Sequence, residues 1–164
     1  LAEDILHTIA SPIFLLLDQI SDVRNFGAII RTAECTGVHA IIVPKTGSAP
    51  INSDTVKTSA GAAFNVPIAK VDHLKDAIYY LQASEITIVA ATEKGSQTPY
   101  EVNLKKGCAI IMGAEDKGIS DSILKLSDHK TKLPISGKIG SLNVSVACGV
   151  MLYEVLRQRR KNLN

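Results

Sequence analysis

Apolar residues recur along the chain in short continuous runs separated by stretches of helical periodicity. The runs Ile13–Leu17, His39–Val43, Val66–Ala69, Ile86–Ala90 and Ala109–Met112, with a shorter Thr131–Leu133, have the length of strands. Most lack the alternation of a half-exposed strand, which is what parallel strands covered on both faces require. The intervening segments Phe26–Thr36, Ser53–Ala62, Asp72–Ala83, Ser120–Ser127 and Leu142–Arg160 read as helices. The rhythm predicts an α/β fold, an open and mostly parallel sheet with helices on both faces.

The last helix departs from the usual amphipathic pattern. From Val144 to Leu156 it is apolar on nearly every side, and a helix of that kind must be buried all round. Either the sheet covers it within the monomer or a partner subunit does. No repeat or flexible linker divides the chain, so residues 1–164 read as one domain. The stretches Pro44–Pro50 and Glu93–Lys106 are the longest without periodicity and read as surface loops that carry function.

Composition narrows the class. Hydrophobic residues make up 46% of the 164 and charged residues 21%, which excludes a disordered chain. No apolar run approaches the ~18 residues of a membrane span, and no signal peptide opens the chain. Cys35, Cys108 and Cys148 are odd in number and far apart, as suits core residues in a reducing cytoplasm. The net charge of +2 hides a gradient: residues 1–128 hold 11 basic and 15 acidic side chains (net −4), residues 129–164 hold 7 and 1 (net +6).

Three segments carry candidate chemistry. The first, Asn25-Phe-Gly-Ala-Ile-Ile-Arg31, opens a helix that Gly37 is placed to end. Phe26, Ile29, Ile30 and Ala33 form its apolar stripe, and Arg31 points roughly opposite, either to a ligand at the sheet's carboxyl edge or to water beside Glu34. The second, Gly113-Ala-Glu-Asp-Lys-Gly118, has P-loop glycine spacing but lacks the lysine that would follow. Glu115 there is a carboxylate at a strand's end or part of an acidic turn, between glycines that suggest close backbone approach or positive φ. The third, Leu133 to Ala147, is a glycine-bearing loop in which Ser141 fits an N-cap, leaving first-turn amides free for a ligand. Asn143, in the first turn of so apolar a helix, needs a specific partner. His7, His39, His73 and His129 share no metal-ligand spacing, so no metal is expected.

In this order the segments resemble the three signature motifs of the SpoU family of RNA ribose 2′-O-methyltransferases, within the SPOUT superfamily. They read N-x-G-x-x-x-R at Asn25, Gly27 and Arg31, G-x-E-x-x-G at Gly113, Glu115 and Gly118, and P-x-x-G-x-x-x-S-L-N-V-S-x-A from Pro134 to Ala147. The third is long and specific, and Ser59-Ala-Gly-Ala adds a likeness to the branch that methylates a guanosine of large-subunit (23S) ribosomal RNA. Phe64-Asn65 departs from relatives that often have an acidic residue and a histidine there.

The resemblance implies a C-terminal deep trefoil knot, a homodimer formed partly through the last helix, and S-adenosylmethionine as methyl donor. Cofactor contacts would come from Thr92, Gly113, Leu133, Ile135, Leu142 and Asn143, largely through backbone groups. Arg31, Asn25, Glu115, Ser141 and Asn143 would be the catalytic set, acting on RNA in the cytoplasm, ribosomal rather than transfer RNA. A guanidinium stays protonated near neutral pH, so Arg31 fits a phosphate clamp and alkoxide stabiliser better than a general base. The rivals are a transfer-RNA guanosine 2′-O-methyltransferase and a non-catalytic RNA-binding homologue. Relatives commonly carry an N-terminal RNA-recognition domain, and a chain opening at Leu1 without methionine leads one to expect such a domain before it. Arg157, Arg159, Arg160 and Lys161 are then expected to add to the RNA grip from the chain's end.

Overall fold

The computed structural model describes residues 1–160. Strands β1 (Ile13–Asp18), β2 (Ala40–Pro44), β3 (Ile68–Val71), β4 (Thr87–Ala91), β5 (Cys108–Gly113) and β6 (His129–Thr131) form one sheet. Its order is β3-β2-β1-β5-β4-β6, with every neighbour parallel. The central strands are apolar at successive positions because both faces are covered. Ile13, Leu15 and Leu17 of β1 face α2 (Val23–Thr36) and α6 (Val144–Arg159). Phe14 and Leu16 face α1 (Ala2–Thr8), α4 (Leu74–Ala83) and α5 (Asp121–Leu126). A short α3 (Ser53–Thr58) lies against α2.

Element boundaries differ from expectation where side-chain caps or left-handed residues intervene. Helix α2 begins at Val23 rather than Phe26, because the Asp22 carboxylate accepts the Asn25 N–H at 2.9 Å. It ends, as expected, at Gly37, in the left-handed region at φ 80°. The helix expected over Ser53–Ala62 stops at Thr58, since Ala60 and Gly61 both adopt positive φ, and a 3₁₀ turn (Ala62–Phe64) follows. Strands β3 and β6 are shifted from the expected runs by about two residues, a common error for short segments. Helix α1 had no periodic signal long enough to predict it, and Ile5 is its only buried residue.

Strand β6 is bonded both to the end of β4 and to the connection that leads from β4 to β5. Thr92 N–H donates to the Thr131 carbonyl at 2.8 Å, and on the other side Lys132 N–H donates to the Gln97 carbonyl at 2.7 Å. His129 Nδ1 lies 3.0 Å from the Gln97 side-chain oxygen. Gly95 is required here, because a Cβ would run into the backbone of Thr131 and Lys132. The same connection is held farther along by the end of α6. Gln158 accepts the Leu104 N–H at 2.8 Å and donates to the Val102 carbonyl at 3.0 Å. Arg159 donates to the carbonyls of Leu104, Lys106 and Ser11.

At the amino end of the sheet, His39 Nδ1 accepts the Ile13 N–H at 3.0 Å. Burial, and secondly the Arg159 guanidinium, hold its pKa below the ordinary histidine value. The folded protein therefore takes up this proton less readily than the unfolded chain. The stability tied to neutral His39 is complete above about pH 6.5 and declines as pH falls below it. Thermal melting should show a lower Tm at pH 5 than at pH 7, and His39→Gln should reduce that slope. An equal slope in the variant would assign it to other groups.

Candidate active site

The three sequence segments meet above the carboxyl edge of the sheet. Asn143 is the N-cap of α6, its Oδ1 accepting the Ser145 N–H at 2.9 Å and the Val146 N–H at 3.4 Å. Its amide nitrogen donates to Glu115 Oε1 at 2.7 Å and to Asn25 Oδ1 at 3.2 Å. Glu115 Oε1 also accepts the Val144 N–H at 3.0 Å. One side-chain amide thus joins the first turn of α2, the turn after β5 and the start of α6. A carboxylate at the amino end of α6 is also favoured by the helix dipole.

Two glycines permit this meeting for different reasons. A Cβ on Gly27 would overlap the Thr58 hydroxyl, so its absence lets α3 close on the first turns of α2. A Cβ on Gly113 would overlap the backbone of Gly118 and Ile119, where the turn doubles back and the Gly118 N–H donates to the Ala114 carbonyl at 2.7 Å. Gly118 itself has φ +66°, so both suggested reasons for glycine occur in this turn.

Beside the junction a cleft opens at the carboxyl ends of β4, β5 and β6. Its walls include Thr92, Gly113, Leu133, Ile135, Ser141 and Leu142, all singled out from the sequence. Glu115 reaches it as well, whereas Asn25, Arg31 and Asn143 are not among the lining residues. From Leu133 to Asn143 no main-chain N–H donates to another described residue. A wall with apolar side chains and unengaged main-chain donors suits a flat heteroaromatic ligand such as a purine. Lys94, Ile119 and Lys132 also line the cleft and were not foreseen. They follow β4, β5 and β6 respectively, and their convergence at the carboxyl edge is set by the strand order, which no local pattern encodes.

Several expectations are corrected. Ser141 is not the N-cap, since α6 starts at Val144 and Asn143 caps it. Its first-turn amides are therefore engaged by Glu115 and Asn143 rather than open to a ligand. Within the monomer the sheet does not cover helix α6 all round: Cys148, Met151, Leu152 and Val155 are buried, while Val146 and Tyr153 are 52% and 53% exposed, so of the two alternatives the first is excluded. Cys35 is exposed rather than a core residue. Burial pushes the thiols of Cys108 and Cys148 up to about 11 and about 12, so neither is a nucleophile at neutral pH.

The cationic end of the chain is mostly engaged. Arg157 forms a two-pronged pair with buried Glu154, at 2.6 and 2.9 Å, and holds that carboxyl below its usual pKa. Arg159 is given over to main-chain carbonyls, Arg160 is exposed, and Lys161 lies outside the described residues. Arg31 is exposed and forms no hydrogen bond or ion pair with the described residues, so the alternative pairing with Glu34 does not occur. Among the described residues no cluster of His, Cys, Asp or Glu could hold a metal ion. No described helix is long and apolar enough to cross a membrane.

The profile of the SpoU rRNA Methylase family matches residues 12–153. The chain is 39% identical over 155 residues to the 23S rRNA (guanosine-2'-O-)-methyltransferase RlmB of Yersinia pestis, covering 94% of this chain and 63% of that protein. It is 41% identical over 157 residues to the same-named protein of Vibrio vulnificus, covering 96% and 64%. The chain thus spans less than two thirds of the length of these relatives. Among solved structures it resembles the SpoU methyltransferase AviRb of Streptomyces viridochromogenes in complex with AdoMet, with a TM-score of 0.87 at 26% identity, covering 95% of this chain and 64% of that one. It also resembles the TrmH/SpoU tRNA modifying enzyme of A. aeolicus, with a TM-score of 0.83 at 30% identity, covering 96% and 81%.

Proposed function

We propose, because the chain belongs to the SpoU rRNA Methylase family, that it catalyses transfer of a methyl group from S-adenosylmethionine to a ribose 2′-hydroxyl of RNA, a guanosine of 23S ribosomal RNA. The observation that carries this reading is the single junction of Asn143, Glu115 and Asn25 beside a cleft whose wall offers unengaged main-chain donors. The two relatives named for 23S rRNA guanosine methylation support ribosomal RNA over transfer RNA. An rRNA substrate puts the reaction in the cytoplasm.

The donor fits the cleft on chemical grounds. Leu133, Ile135 and Leu142 would wall the adenine, main-chain groups of the 133–143 segment would meet its polar edge, and Thr92 and Gly113 would line the remainder. When bound, the donor supplies a sulfonium-activated methyl and needs no metal. The protein's own work is then positioning and charge compensation. Arg31, exposed and bonded to no described residue, would hold the phosphate of the target nucleotide and stabilise charge growing on the 2′-oxygen, with the proton leaving to phosphate or water. Asn25 and Glu115 would fix the amino end of α2 and the substrate ribose, Asn143 would hold them together, and Ser141 would shape the pocket from the loop side.

Two larger-scale features belong to the same reading. Thr131 and Lys132 lie between Thr92 and Gln97, and the chain then continues to a helix whose end is bonded to the same connection, as a trefoil knot requires. Val146 and Tyr153, seven residues apart and so on one face of α6, are exposed apolar side chains, which favours a homodimer through this helix.

The test is methyl transfer from labelled S-adenosylmethionine to purified 23S rRNA and to transfer RNA, with the modified nucleotide mapped. Incorporation at one guanosine 2′-O position of 23S rRNA is expected. Incorporation into transfer RNA alone would move the substrate to the rival class. No binding of S-adenosylhomocysteine by calorimetry would overturn the enzyme reading.

A further inference from the structure

The segment between β6 and α6 has two sides. Ile135, Gly140, Ser141 and Leu142 turn toward the cleft, while Ile139 between them is absent from its walls and is 81% exposed, the most exposed large hydrophobic side chain in the described structure. An added Cβ at Gly137 would meet no heavy atom within 4 Å, so no described residue packs against the segment at this point. An aliphatic side chain so placed gains nothing within the monomer.

The charges around it indicate what could cover it. Lys138 is adjacent, and Lys132 and Lys117 stand on the rim of the same cleft; none of the three forms an ion pair with a described residue. From His129 to Tyr153 the sequence contains no Asp or Glu at all. Glu93, Glu115 and Asp116 line the same cleft, but Glu115 is engaged by Asn143 and the Val144 N–H, and the apolar tip with its neighbouring lysines complements a polyanion that also presents flat apolar faces, which is what single-stranded RNA offers. Aliphatic side chains are known to press against or between bases where a nucleotide must be held out of its stack.

The geometry points to Ile139 as an RNA contact that packs on a base flanking the methylated nucleotide, with Lys138 and Lys132 on neighbouring phosphates. This inference rests on the RNA reading of the site. It assigns to the outer side of the cofactor loop a part in substrate binding separate from the cofactor side.

The test measures three quantities for the wild-type chain, Ile139→Ser and Ile139→Met. These are affinity for a 23S rRNA transcript by filter binding, affinity for S-adenosylhomocysteine by calorimetry, and mass by light scattering. The serine variant should bind RNA about tenfold more weakly, as expected for loss of one base-face contact. Its cofactor affinity and mass should be unchanged, and the methionine variant should restore RNA binding. Unchanged RNA affinity in the serine variant would overturn the inference and leave the methyltransferase reading intact. Parallel loss of S-adenosylhomocysteine binding would make Ile139 part of the cofactor wall, and a fall in mass would make it a contact with a second copy; either overturns it. If the wild-type chain binds S-adenosylhomocysteine but no RNA, the inference and the RNA reading fall together.

Discussion

Arg31→Ala is expected to lower methyl transfer by about 10²–10³-fold, the range for removing one preorganised donor from a developing oxyanion. Its Tm and its affinity for S-adenosylhomocysteine should stay at the wild-type values. The expectation of unchanged stability comes from the structure. The Arg31 side chain is exposed and bonds to no described residue, and the buried stripe of α2 is carried by Phe26, Ile29, Ile30 and Ala33. A helix surface that loses one such arginine for alanine loses no packing and gains slightly in helix propensity. Activity and stability therefore separate at this position, which they would not at a core residue.

Arg31→Lys refines the assignment. Lysine keeps the charge as a single ammonium but cannot present two parallel N–H groups to a phosphate. If Arg31 holds phosphate and 2′-oxygen together, the lysine variant should recover only a small part of the lost rate. Near-wild-type activity in that variant would show that a point charge suffices and would remove the bidentate role.

The sequence made some of this arrangement readable and hid the rest for identifiable reasons. Continuous apolar runs revealed the parallel strands, because Phe14 to Leu17 must be apolar on both faces of a covered sheet. The unusual asparagine at 143 announced a specific partner, and the structure supplies two, 28 and 118 residues away. Serine and asparagine are equally good caps, so Ser141 and Asn143 are indistinguishable locally, and the contacts of Glu115 with Asn143 and the Val144 N–H fix the helix start at Asn143. Arg159 looked like a surface cation because nothing local says that three carbonyls of distant segments converge on it. The pairing of β6 between β4 and the segment at Gln97 had no local signal, since it joins residues far apart in the chain.

Asn143 offers the other large effect, and it can be divided into two parts. Asn143→Ala removes the α6 cap, at a cost of about 1 kcal/mol, and so should lower Tm by roughly 2–4 °C. It also removes the amide that ties Glu115 to Asn25, leaving the carboxylate with only the Val144 N–H. Small displacements of positioning groups cost about 10²-fold in rate, and a loss of that order is expected here. Asn143→Ser separates the parts, because a serine hydroxyl caps a helix well but is too short to bridge both partners. Its Tm should return close to the wild-type value while its activity stays near that of the alanine variant. Should the serine variant instead methylate at nearly the wild-type rate, Asn143 would be a helix cap and nothing more, and Glu115 and Asn25 would not need each other. A further check comes from combining Asn143→Ala with Glu115→Gln. If both act through the one junction, the double variant should lose little more activity than the worse of the two single variants, whereas independent sites would multiply their losses.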